Sequence, residues 1–131
     1  MDTKIASFAK HYSAQNLAYI GDAVFELHVR KMLLSTGNRS VNALNKAARG
    51  YVSAKAQAVM YHAVEPHLSE EEMSAMRRGR NIRTNTKAKN AGMSEYKHAT
   101  GLEALFGYLF VNERHERIAE IFNICIGVHD E

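Results

Sequence analysis

The segment "LAYIGDAVFELHVR", residues 17–30, constrains this chain more than any other. Leu17, Ile20, Val24, Leu27 and Lys31 fall on one helical face, and Ala18, Phe25, Val29 and Met32 widen it. Yet Asp22 stands in the middle, directly after Gly21, and Glu26 follows one turn later. An ionised carboxylate left buried and unpaired costs several kcal/mol. Asp22 must therefore lie on a polar stripe, pair with a cation or hold a metal. Aspartate is a poor helix former, and glycine costs about 1 kcal/mol against alanine in a helix interior. Two unfavourable choices side by side mark a point of close approach. The opposite stripe reads Tyr19, Asp22, Glu26 and Arg30, on which Glu26 and Arg30 can pair at i,i+4.

The spacing predicts a helix over about residues 15–35, ending before Gly37. Ser40 is placed to cap a second, long helix that Pro66 stops. Its expected core face is Val41, Leu44, Ala48, Tyr51 or Val52, Val59 and Ala63, with Gly50 marking a bend or a close contact. "SEEE" at 69–72 has the form of a capping box, Ser69 as N-cap and Glu72 three residues on. Helical patterning returns with "GLEALFGYLFV", breaks near Asn112, and ends in an amphipathic "ERIAEIFNICIGV". Strand alternation and internal repeats are missing, and proline occurs once in 131 residues. The expected fold is all-α, a single domain over residues 1–131. One cysteine, Cys125, excludes an internal disulfide and any multi-cysteine zinc site, and its apolar neighbours suit a buried small hydrophobe. No stretch approaches the roughly 20 apolar residues that span a bilayer, and the N-terminus lacks a signal-peptide pattern. A cytoplasmic protein without membrane association is expected.

The net charge, +3, decides little, but its distribution is informative. Arg77, Arg78, Arg80, Arg83, Lys87 and Lys89 fall within thirteen residues without one acid. Such a run repels itself unless it faces phosphates. Aromatic residues do not interleave with it, so contact with a duplex backbone is favoured over stacking on single strands. A second notable acid is Glu103, flanked by Leu102, Leu105, Phe106 and Leu109. Two readings of it stand: a metal ligand, or the last residue of a capping box opened by Thr100. The seven histidines show no zinc-binding spacing, and nucleophile-elbow, P-loop and dinucleotide motifs are absent. Two acids in apolar helical frames and a phosphate-facing run point to Mg²⁺-dependent phosphodiester chemistry, since Mg²⁺ takes one or two carboxylates and keeps waters and phosphate oxygens besides.

"LAYIGDA", "VSAKAQA", "RRGRN" and "TGLEALFGYLF", in this order, resemble the ribonuclease III family, and most closely its bacterial Mini-ribonuclease III subclass, which lacks a separate double-stranded-RNA-binding domain. The resemblance implies an all-α endoribonuclease domain, a homodimer, and Mg²⁺-dependent cleavage of double-stranded RNA that leaves 5′-phosphates. It also implies trimming of large-subunit (23S) ribosomal RNA precursors and a link to the large ribosomal subunit. By the same resemblance Asp22 matches the catalytic aspartate and Glu103 the metal-binding glutamate. Full-length members carry two further acids, where this chain has Ala18 and Thr100. Glu26 is then a candidate outer partner of the metal, and the six basic residues are candidate RNA contacts. A rival reading, favoured by the two missing acids, is a catalytically degenerate ribonuclease III fold that only binds RNA or the ribosome.

Overall fold

A computed structural model describes residues 12–83 and 92–131. Six α-helices make up the described chain: α1 (Ala14–Ser35), α2 (Val41–Val52), α3 (Ala54–Val64), α4 (Glu70–Arg80), α5 (Gly92–Val111) and α6 (His115–His129). A 3₁₀ turn, Glu65–His67, holds Pro66 between α3 and α4. Four of the starts are side-chain capped, by Ser13, Ser40, Ser53 and Ser69. The expected capping box at Ser69 is complete, because the Glu72 carboxylate accepts from the Ser69 backbone N–H at 2.9 Å.

Helix α5 is the axis of the fold. It buries Leu102, Ala104, Leu105, Phe106 and Leu109, and α1, α3 and α4 all pack on it. A helix that is apolar nearly all round is buried nearly all round. Phe25 of α1 meets Phe106 of α5 and Phe122 of α6 edge to face, with ring centroids 5.3 and 5.8 Å apart. Cys125 lies fully buried in α6, and burial pushes its thiol up to about 12. Across the other side, Arg117 of α6 grips the buried Glu72 with two hydrogen bonds, at 2.8 and 2.9 Å, and donates to the His67 carbonyl. These bonds hold the Glu72 carboxyl below the usual range despite its burial.

Three sequence expectations need correction. The long second helix is two helices, and the break falls at Ser53, not at Gly50, where a side chain would meet open space. Ser53 is extended (φ −65°, ψ 151°) and its hydroxyl accepts from the Ala56 N–H, so it restarts the helical phase. The inward row of α3 is consequently Gln57, Met60, Tyr61 and Val64, while Val41 and Val59 are exposed. On α1, Leu27 and Lys31 also face outward, because Leu17, Gly21, Val24, Phe25 and Leu33 supply the buried face. Finally, α5 begins at Gly92, well before "GLEALFGYLFV".

The tightest contact of the fold joins α1 and α5. A Cβ at Gly21 would overlap the Glu103 carbonyl and lie 2.7 Å from the Gly107 nitrogen; one at Gly107 would overlap the Leu17 carbonyl. Backbone meets backbone there, and neither partner can yield as a flexible side chain would. Gly107→Ala should therefore destabilise the protein by about 3 kcal/mol or more, whereas Gly127→Ala, whose added Cβ meets open space in α6, should be neutral or stabilise by up to about 1 kcal/mol. Equal midpoints in urea for the two variants would contradict this contact.

Candidate active site

The α1–α5 contact builds the site. Gly21 seats the α1 backbone on the Glu103 carbonyl, so Asp22, the next residue, brings its carboxyl to that of Glu103. Asp22 is exposed on its outer side and Glu103 is partly buried. Burial first, then the Asp22 carboxylate, push Glu103 up to about 8, so at neutral pH Glu103 keeps its proton. Gln57, from α3, lies against the same carboxyl and favours its charged form more weakly.

Glu103 is no cap. It lies in the interior of α5, and Thr100, a turn earlier, donates its hydroxyl to the Tyr96 carbonyl at 2.9 Å. The capping reading of Thr100 to Glu103 is thereby removed. Ala18, the other position without the expected acid, is buried with Leu17 and Ala104. Glu26 bonds Arg30 at 2.6 Å on the exposed side of α1, as the i,i+4 spacing predicts. Arg77, Arg78 and Arg80 form the last turn of α4, where the helix dipole favours cations. Arg80 donates to the Tyr61 hydroxyl at 3.3 Å and packs its Cβ beside Gly101, within one turn of Glu103 along α5. Arg78 donates to the Tyr12 carbonyl, and Arg83 is exposed just beyond α4. Lys87 and Lys89 lie outside the described residues.

The donor set suits a divalent cation. The Asp22 carboxylate raises the Glu103 carboxyl, and a cation held between the two would favour the charged form of both. Among the described residues no group of three or more His, Cys, Asp or Glu side chains gathers. A cation here would complete its shell from water and phosphate oxygens, as Mg²⁺ does.

Residues 15–114 match the Ribonuclease III domain family. This chain belongs to the ribonuclease III family. It is 44% identical to Mini-ribonuclease 3 of Enterococcus faecalis, over 89% of this chain and 90% of that one. Against Mini-ribonuclease 3 of Brevibacillus brevis the identity is 49%, covering 86% and 84%. A protein of Fusobacterium nucleatum known from its crystal structure shares the fold, with TM-score 0.77 and 37% identity over 88% of this chain and 93% of that one. The likeness therefore reaches the Mini-ribonuclease III subclass, and the all-α ribonuclease III fold read from the motifs is the fold observed. As a member of the family the chain is an endoribonuclease. No helix among the described residues is long and apolar enough to cross a membrane. Gln57 was missed from sequence because the long-helix phase turned it outward; Ser53 read as an N-cap would have placed it inside with Met60, Tyr61 and Val64.

The carboxyl pair has a pH signature in the cation-free protein. An unfolded glutamate ionises near 4.5 and the folded Glu103 near 8, so between these values the folded chain holds the extra proton. Stability must then fall as pH rises through that window and be unaffected by Glu103 below it. Glu103→Gln, neutral throughout, should gain on the native protein between pH 5 and pH 9 in EDTA, by on the order of 2 kcal/mol, since part of the carboxyl reaches solvent. Urea unfolding at the two pH values measures the difference, and a difference independent of pH would contradict the pairing.

Proposed function

We propose that this chain cleaves double-stranded RNA with Mg²⁺ held by Asp22 and Glu103, and that it matures the ends of large-subunit (23S) ribosomal RNA precursors. The observation that carries the reading is the Asp22–Glu103 pair at the α1–α5 contact. When bound there, Mg²⁺ supplies a water of lowered pKa and neutralises charge on the phosphate. The chain's own part is to hold two carboxylates in register on helices that cannot slide, because their backbones touch at Gly21 and Gly107. Glu26, one turn past Asp22 and fixed by Arg30, serves as an outer carboxylate. Arg77, Arg78, Arg80, Arg83, Lys87 and Lys89 position the RNA backbone without reading sequence. Hydrolysis leaves the phosphate on the 5′ end of the product.

A homodimer places two such sites across one duplex, one per strand. An exposed apolar stripe supports that assembly: Tyr19, Leu27 and Leu34 run along α1 beside Asp22. Leu34 and Val41 also line a groove of about 220 Å³ between α1 and α2. The proposed setting is the cytoplasm, one domain over residues 1–131 acting on the large ribosomal subunit or its precursor.

Asp22→Asn keeps shape but removes an anionic oxygen, so duplex cleavage should fall about a hundredfold or more while folding and duplex binding persist. Turnover near the native rate would overturn the assignment, and native protein without cleavage in Mg²⁺ would favour the binding-only alternative. Duplex affinity, measured with Asp22→Asn to prevent cutting, should fall steeply with salt. Changing Arg78, Arg80 and Arg83 together to Gln should flatten the log–log slope by roughly 0.9 per lost phosphate contact, the B-DNA value. An unchanged slope would place these side chains away from RNA.

A further inference from the structure

Gln57 is 3% exposed, and its Nε2 is the buried side-chain polar atom among the described residues that has no hydrogen-bond partner. It shares the inward row of α3 with Met60, Tyr61 and Val64, where packing alone would favour another apolar side chain. An unsatisfied buried amide donor costs about 1–3 kcal/mol. The amide lies against the Glu103 carboxyl and favours its charged form, yet its Nε2 lacks a well-formed hydrogen bond. A Glu103 carboxylate that holds a cation keeps a lone pair to satisfy, and the unpartnered N–H of Gln57 lies beside it.

We propose that Gln57 is a positioning residue of the metal site: its Nε2–H completes a hydrogen bond to Glu103 when that carboxylate carries the divalent cation, fixing the carboxylate's orientation toward Asp22. The proposal rests on the carboxyl pair being the cation site. Groups that orient metal-binding side chains in this way typically contribute ten- to a hundredfold in metal affinity. The unpaired donor is then a defect of the cation-free fold that is repaired on loading. Gln57 is needed for affinity and orientation, not for folding.

Mn²⁺ binding to the full chain without RNA, followed by the paramagnetic signal of the free ion, tests this separately from cleavage. Gln57→Met keeps the volume and removes the donor; Gln57→Leu is carried in parallel, and either folded variant decides. The expected result is about tenfold weaker Mn²⁺ binding together with a melting temperature in EDTA equal to or above that of the native chain. In a Glu103→Gln background the same change should have no further effect on Mn²⁺ affinity, because Gln57 acts through the Glu103 carboxylate. Native Mn²⁺ affinity in Gln57→Met, while Asp22→Asn loses binding, would overturn the role of Gln57 and leave the cation site standing. Native affinity in Asp22→Asn would overturn both. A tenfold loss that persists undiminished with Glu103→Gln, or a large drop in melting temperature, would also overturn the role, making Gln57 an independent ligand or a packing residue.

Discussion

Everything distinctive in this protein depends on two helices touching through their backbones. At Gly21 and Gly107 no Cβ separates α1 from α5, and a methyl group at either would run into a carbonyl. Such a contact is short and stiff, because peptide groups cannot rotate away as side chains do. It sets the depth and register at which α1 lies on α5. Asp22 follows Gly21 in the chain and Glu103 supplies the carbonyl that Gly21 covers, so the register that packs the core also pairs the carboxyls. A slip of one turn would lose both.

The pairing is unfavourable in itself. Burial and the neighbouring Asp22 carboxylate disfavour the charged form of Glu103, and a buried amide beside it lacks a partner. The rest of the fold tolerates this because its other buried charge is fully satisfied: Glu72 caps α4 and receives two hydrogen bonds from Arg117. Breaking such a pair strands a charge in the interior, so the clamp between α4 and α6 is rigid where the site is frustrated. Packing the last turn of α4 against α5 at Gly101 then brings Arg80 to a defined place, held through Tyr61.

Local signals in the chain were sufficient where one residue's chemistry decides one structural feature. Ser69 and Glu72 announce a helix start because both halves of the capping box lie within four residues, and the chain folds so. The awkward Gly21-Asp22 step inside an apolar helix marked a close approach, and the partner at that point is another helix. "ERIAEIFNICIGV" and the buried Cys125 were legible from spacing alone. Where phase carries across a hidden boundary, the same reasoning fails. Ser53 resets the period, so Val59, expected inside, faces outward, and Gln57 takes a place in the inward row.

The sequence by itself determined that the chain is helical, where most helices start and stop, and that Asp22 and Glu103 are the acids out of place, since propensity, capping and periodicity act over a few residues. Tertiary structure alone decided that Thr100 and Glu103 sit inside one helix begun at Gly92, that Leu27 faces outward, and that Glu72 meets Arg117. It alone brought Asp22, Glu103 and Gln57 from three helices to one point. The physical reason is that which face of a helix is buried, and which side chains meet across it, depends on how closely two backbones can approach; that distance is set by pairs of residues far apart in the chain, as Gly21 and Gly107 are.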